Sequence, residues 1–155
     1  MSETDRIAKQ LERAFSGPAW HGPAVEEVLA GVTAETASRT SPGGIHSIWE
    51  IVDHMWFWSD VVRDWIEGGR ERPPDEASWS EVRDPSAAAW QATLERLREG
   101  QRALVDRVRS LDEARLEDRL FDDMPKLFVV LHGVAHHHLY HAGQIAVLKK
   151  IAANS

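Results

Sequence analysis

The sequence predicts an all-α protein made of four long helices, and three observations support this. Apolar residues recur at steps of three and four in four separate segments. Stretches rich in Gly, Pro and charged residues separate these segments. No stretch alternates apolar and polar residues with the period of two that marks a half-buried strand. Amphipathic helices bury their apolar stripes against one another, so we expect a four-helix bundle.

The first helix is expected to begin at Thr4-Asp5 and to be interrupted at Gly17-Pro18. Its apolar side chains at helical spacing are Ile7, Leu11, Ala14 and Phe15. We expect Pro23 to Leu29 to continue this helix after a kink. The stretch from Gly31 to Gly44 should be a loop with one short helical turn at residues 34–37.

The second helix begins at Ser47, because Ser47 and Glu50 have the spacing of a capping box. It should end at Gly68-Gly69. The linker from Gly68 to Pro85 is polar and rich in proline, with Trp79 as its large apolar residue. At roughly 3.3 Å per residue such a linker can run the length of a bundle, so helices two and three could be parallel.

The third helix is expected to open at Asp84-Pro85-Ser86, and a short extra turn should follow at residues 110–113. Its periodic apolar residues are Ala89, Trp90, Leu94, Leu97, Leu104, Val105 and Val108. The fourth helix should begin within Asp122 to Pro125, where acids and a proline suit a helix N-terminus, and should reach about Ala152.

Composition limits the classes of function. A chain of 155 residues with 43% hydrophobic residues and seven Trp suits one domain, residues 1–155. Its formal charge of -7, with basic residues scattered among acidic ones, makes nucleic acid a poor partner. We expect no membrane association and a cytoplasmic location, because long apolar runs and a signal-peptide pattern are absent. Without cysteine, any metal must bind imidazole or carboxylate ligands.

Two histidines lie on the apolar stripe of the fourth helix. His137 and His141 continue that stripe at steps of three and four, whereas His132 and His136 are rotated away from it. The stripe consists of Val130, Val134, Ile145 and Leu148. Side chains four residues apart lie on successive turns, so both imidazoles can converge on one ion. The zinc-protease motif is excluded, because no glutamate follows His137 directly.

A third histidine, His54, lies within the aromatic stripe of the second helix. That stripe consists of Ile51, Trp58, Val61 and Trp65. Two interpretations remain open from the residues alone. The three histidines could bind one metal ion, or each could be a hydrogen-bonded core residue.

Three segments resemble the DinB-like superfamily in order, spacing and helix placement. They are AWHGPAVEEVLAGVTAETA, HSIWEIVDHMWFW and LHGVAHHHLYHAGQIAVLKK, and the resemblance covers nearly the whole chain. It implies an up-down-down-up bundle, a frequent homodimer and a divalent metal bound by His54, His137 and His141. Zinc or nickel is preferred, with iron as a further possibility.

The resemblance leaves the reaction open. Members of the family include thiol transferases and an isomerase that activate a low-molecular-weight thiol, and others regarded as metal-dependent hydrolases. Three neutral imidazoles would leave a coordination position open, as in a catalytic site. We therefore expect a hydrolase or thiol S-transferase acting on a small molecule. The alternative is a catalytically silent module that binds metal or a small ligand and dimerises.

Further residues are candidates for supporting roles. His21, beside Trp20, and His46 match family positions near the mouth of the bundle and could contact substrate, or could be ordinary loop residues. Gln144 could hold a ligand of the metal, or could be an amide between helices. No Asp or Glu lies on either histidine stripe, so no general base is assigned. We expect the core rather than a substrate cage for Trp49, Trp56, Trp58 and Trp65.

Overall fold

The structure is a computed structural model that describes residues 1–40 and 43–154. Regular structure within these residues is entirely helical, apart from one isolated β-bridge, which confirms the predicted all-α class. The helices are α1 (Glu3–Ser16), α2 (Val25–Leu29), α3 (Ala34–Ser38), α4 (Ile48–Glu67), α5 (Ala87–Arg109) and α6 (Leu127–Ala153). Two 3-10 turns cover Asp75–Ser78 and Glu113–Glu117. Ser41 and Pro42 of the predicted loop, and Ser155 of the predicted domain, lie outside the described residues.

The boundaries of α4 follow from its capping residues, as predicted. Ser47 Oγ accepts a hydrogen bond from the backbone N–H of Glu50 at 3.2 Å. The Glu50 carboxylate accepts one in return from the Ser47 N–H at 2.7 Å. Gly68 ends the helix in the left-handed conformation with φ of 107°, which glycine adopts without a steric penalty. The capping box thus fixes the start of the helix that carries His54.

Some predicted boundaries differ from the structure. The extra turn expected at residues 110–113 is the 3-10 turn Glu113–Glu117. Residues 25–29 do not continue α1 after a kink. They form the separate helix α2, because Gly17 with φ of 78° ends α1 and residues 17–24 form a loop. Helix α6 begins at Leu127 rather than within residues 122–125. The chain before it closes into a loop instead, in which the N–H of Leu127 donates to the carbonyl of Asp118 at 2.8 Å.

Each of the four long helices packs against two of the others. Helix α4 contacts α5 and α6, and α1 contacts the same two helices. Of the four tryptophans of α4 expected in the core, Trp49 and Trp65 are buried, whereas Trp56 and Trp58 are only half-buried. In the described part of the chain, no helix has the length and apolar character needed to cross a bilayer.

The buried apolar side chains form two clusters separated by a layer of histidines. The first cluster includes Ile7, Leu11, Leu104, Leu127 and Leu131. The second includes Trp49, Met55, Trp90, Leu97 and Ile145. Along α6 the first cluster ends at Ala135 and the second resumes at Ala142, so His137, His138 and His141 fall between them. Burying polar rings here requires that their nitrogens find partners.

The linker between α4 and α5 is bonded to α4 and to the loop before α6. Trp65 Nε1 donates to the carbonyl of Glu71 at 2.7 Å, and Arg70 donates to the carbonyl of Leu120 at 2.9 Å. Its 3-10 turn buries Ser78, which is 3% exposed, next to His54. The linker therefore forms one side of the histidine layer.

Candidate metal centre

Three histidines from two helices bring their Nε2 atoms together. His137 Nε2 lies 3.0 Å from His54 Nε2 and 3.0 Å from His141 Nε2. One donor atom from each ring lies within 4.8 Å of the others, a grouping that could hold a metal ion. His54 comes from α4, whereas His137 and His141 come from successive turns of α6. The structure thus brings together the three histidines singled out in the sequence.

Two of the three rings are oriented by hydrogen bonds at Nδ1. His54 Nδ1 lies 2.9 Å from Ser78 Oγ, and that hydroxyl donates its proton to the carbonyl of Asp75. His141 Nδ1 lies 2.6 Å from Gln144 Oε1, which can only accept a hydrogen bond. Both rings must therefore donate from Nδ1. In the neutral form, their Nε2 atoms carry lone pairs.

These tautomers leave the centre of the cluster short of protons. The lone pairs of His54 and His141 both point at His137 Nε2. A neutral His137 carries at most one proton on that nitrogen, so it can satisfy only one of the two lone pairs well. Facing lone pairs in a buried site are unfavourable unless a cation lies between them. The donor set therefore fits a cation that binds nitrogen, and zinc and nickel are such ions.

Burial keeps these imidazoles neutral. Burial lowers the pKa of His137 to about 3 and that of His54 to about 4, and neighbouring imidazoles add a smaller effect in the same direction. Burial also lowers the pKa of His141, although its bond to Gln144 acts in the opposite direction. Neutral imidazole is the form that binds metal, so the rings are ready to bind at neutral pH.

A stack of three aromatic rings supports one side of the site. The Trp79 ring lies against His54 with centroids 3.8 Å apart and planes at 10°. Its other face lies against His46, with centroids 3.7 Å apart and planes at 2°. His46 therefore reaches the site through Trp79, and its Nδ1 lies 3.8 Å from Glu50 Oε2. The linker thus contributes both Ser78 and Trp79 to the placement of His54.

His138 is a buried histidine that the sequence analysis did not single out. It is fully buried, and its Nε2 donates to Ser59 Oγ at 3.1 Å because that hydroxyl donates to the Met55 carbonyl. Its Nδ1 has no hydrogen-bond partner among the described residues. The spacing Leu131, Ala135, His138, Ala142, Ile145 would have revealed it as a core position.

The other predicted candidates divide between the cluster and a separate cleft. His21 lines a separate cleft of about 590 Å³ together with His132 and His136, and not the cluster of three. Trp20 in the same cleft is fully exposed. His132 is half-buried and His136 is exposed, in agreement with their position off the apolar stripe. Of the candidates for a supporting role, Gln144 bonds a cluster histidine directly and His46 contacts it through Trp79.

The fold and this cluster define an all-helical protein with a three-histidine group that could bind metal. The family model of the DinB superfamily matches residues 19–145, a range that includes all three histidines. The chain therefore belongs to the DinB superfamily. Searches of the curated proteins and of the solved structures gave no match.

Proposed function

We propose that this protein is a divalent-metal-dependent enzyme in which His54, His137 and His141 hold one zinc or nickel ion, with iron as a third option. The nucleophile would be water or a low-molecular-weight thiol, which makes the protein a hydrolase or a thiol S-transferase. The observation that carries this proposal is the convergence of three Nε2 atoms, two of them in rings that donate from Nδ1 to other groups.

The chain's own residues prepare the site. Ser78 and Gln144 hold the rings of His54 and His141 in the tautomer that presents Nε2. Burial keeps the rings neutral, and no carboxylate joins the cluster of three in the described residues. A divalent ion with only neutral ligands supplies strong Lewis acidity, which makes water or a thiol a usable nucleophile near neutral pH.

We also propose that α1, α4, α5 and α6 form an up-down-down-up bundle. Contacts between α4 and α5 support a parallel pair. Trp49 Nε1 donates to Thr93 Oγ1 near the start of both helices, and Asp53 pairs with Arg96 one turn later in both. The linker over residues 68–86 allows this arrangement because it returns the chain to the other end.

Contacts between α4 and α6 support an antiparallel pair. The rings of His54 and His141 have centroids 4.8 Å apart. Ser59, which comes later in α4, bonds His138, which comes earlier in α6.

A homodimer is a further proposal, and it rests on family resemblance. Light scattering should give twice the chain mass of 17.5 kDa at micromolar concentration, and the monomer mass would contradict it.

One observation favours the alternative of a catalytically silent binding and dimerisation module. The two acids nearest His54 in sequence are engaged elsewhere in the described structure. Asp53 pairs with Arg96 and bonds Ser80, and Glu50 caps α4. No general base is therefore identified beside the cluster. A module of this kind would bind the metal without turnover.

Activity with and without metal separates these functions. The protein, purified without a histidine tag and loaded with zinc or nickel, is tested for hydrolysis of p-nitrophenyl acetate. It is also tested for consumption of glutathione or cysteine with 1-chloro-2,4-dinitrobenzene, in which the thiolate displaces chloride. Turnover that chelator and His141→Ala abolish, and His132→Ala preserves, supports the enzyme. Bound metal without turnover in both assays supports the silent module.

A further inference from the structure

An open cleft of about 650 Å³ lies beside the histidine cluster. His141 and Gln144 form part of its wall. His46, Trp79, Tyr140 and Gly143 are among the other residues that line it. A molecule in this cleft would therefore touch one of the three clustered histidines and the amide that orients it.

The lining of this cleft is mostly apolar and, among the described residues, includes no Lys, Arg, Asp or Glu. Eight large hydrophobic side chains in the described residues are exposed, and four of them, Ile45, Tyr140, Val147 and Ile151, line this cleft. A second cleft of about 400 Å³ on the His137 side contains Arg72 and Asp75. Clustered exposed apolar side chains mark a binding surface more often than scattered ones do. The cleft beside His141 therefore suits uncharged groups, whereas the cleft on the His137 side offers Arg72 and Asp75 to charged ones.

The apolar cleft is already formed in the folded chain. Trp79 is held between two imidazole rings, so this part of the wall is fixed by stacking. Gly143 on α6 leaves open space in the cleft, because a Cβ added there would meet no atom within 4 Å. Ligand pockets are typically apolar concavities of this size with a few polar groups that orient the ligand.

We infer that this cleft binds the uncharged, aliphatic or aromatic part of a small molecule and holds it against His141 and Gln144. Binding in the cleft is inferred from its lining, and the identification of the bound molecule as a substrate rests on the proposed function. An apolar lining favours an apolar group through burial, and the described lining residues offer no Lys, Arg, Asp or Glu to pair with a charged group. The substrate class is therefore a small molecule with an uncharged apolar portion.

Alkanol binding tests the cleft. Binding of 1-butanol, 1-hexanol and 1-octanol is measured by NMR titration of the full-length protein. The dissociation constant should fall about fourfold for each added methylene, because each buried methylene contributes a constant transfer free energy. A dissociation constant that does not change with chain length would overturn the inference.

Two glycines of α6 provide matched variants. Gly143 lines the apolar cleft and Gly133 lines the charged one, and neither has an atom within 4 Å of an added Cβ. Gly143→Leu should weaken 1-octanol binding at least about tenfold by filling the space, whereas Gly133→Leu should leave it unchanged. Both variants should keep or raise the melting temperature, because leucine is a better helix former than glycine. Weakening by Gly133→Leu alone would contradict the assignment.

Titrations without metal distinguish failure of the cleft from failure of the metal centre. Titrations are repeated on protein treated with chelator, in which octanol binding should persist. If octanol binds but no metal is retained, the proposed enzyme fails and the cleft stands. If metal is retained but octanol does not bind, the cleft inference fails alone. Sedimentation that shows a dimer lost in Gly143→Leu, together with no octanol binding, would mean that a second copy covers this face and would also overturn the inference.

Discussion

Helix α6 carries two histidine pairs with the same spacing of four residues, and the structure gives them different surroundings. His132 and His136 border a cleft that is open to solvent. His137 and His141 face α4, where their Nε2 atoms meet that of His54. The second pair is offset from the first by five residues, which rotates it by about 140° around the helix axis. Equal spacing therefore gives a candidate metal centre only where the pair faces another helix.

Metal content should separate the two pairs most clearly. The double substitution His137→Ala and His141→Ala should reduce bound zinc or nickel from about one ion per chain to background, because one remaining histidine cannot hold the ion. The matched double substitution His132→Ala and His136→Ala should leave the content unchanged. Elemental analysis of untagged protein measures both. Equal metal retention in the two double mutants would show that the clustered pair is not a ligand pair.

Acid should destabilise the metal-free protein because of its buried histidines. Burial lowers the pKa of His54 and of His138 to about 4, so the unfolded chain binds more protons than the native chain between pH 6.5 and that value. The contribution of these neutral histidines to the free energy of unfolding is therefore fully present above pH 6.5 and is lost as the pH decreases toward 4. Each such histidine contributes a slope of about 1.4 kcal/mol per pH unit.

Urea denaturation between pH 7 and pH 4.5, with chelator present, measures this slope. His54→Ala should reduce this slope by about the contribution of one histidine, whereas His132→Ala, from the pair outside the cluster, should leave it unchanged. An equal slope in wild type and His54→Ala would contradict the account of a neutral buried ring.

Ser78 bonds a histidine of the cluster, His54, and not a histidine of the other pair. Ser78→Ala should weaken metal binding by about tenfold or more, because His54 loses the acceptor that fixes its tautomer. Ser78→Thr should restore binding, since it keeps the hydroxyl. Ser80→Ala is the matched control, because Ser80 is an exposed serine of the same linker. Competition with a zinc-sensitive dye measures the affinities, and equal affinity in Ser78→Ala and Ser80→Ala would exclude this role.

Sequence reasoning succeeded where periodicity or capping chemistry constrained the chain. The capping box at Ser47 and the glycine stop at Gly68 predicted α4, and apolar stripes placed His54 opposite His137 and His141. These features are local, so neighbouring residues suffice to define them.

The features missed depend on contacts between distant segments. Ser78 lies in a linker without periodicity, so its bond to His54 could not be inferred from spacing. His138 lies at a core position of α6 by its spacing, but its bond to Ser59 on α4 could not be inferred from the sequence. The late start of α6 depends on a loop closed by Asp118 and Leu127.

In the proposed metal centre, His54 joins α4 to α6 through a shared metal ion. The most direct test is the shift in melting temperature caused by chelator in wild type and in His54→Ala. Metal at about a hundredfold excess over its dissociation constant should stabilise the native state by about 2.7 kcal/mol, which corresponds to roughly 5–10 °C. We predict a shift of this size in wild type and almost none in His54→Ala. Equal shifts in the two proteins would show that His54 is not a ligand and would contradict the three-histidine centre.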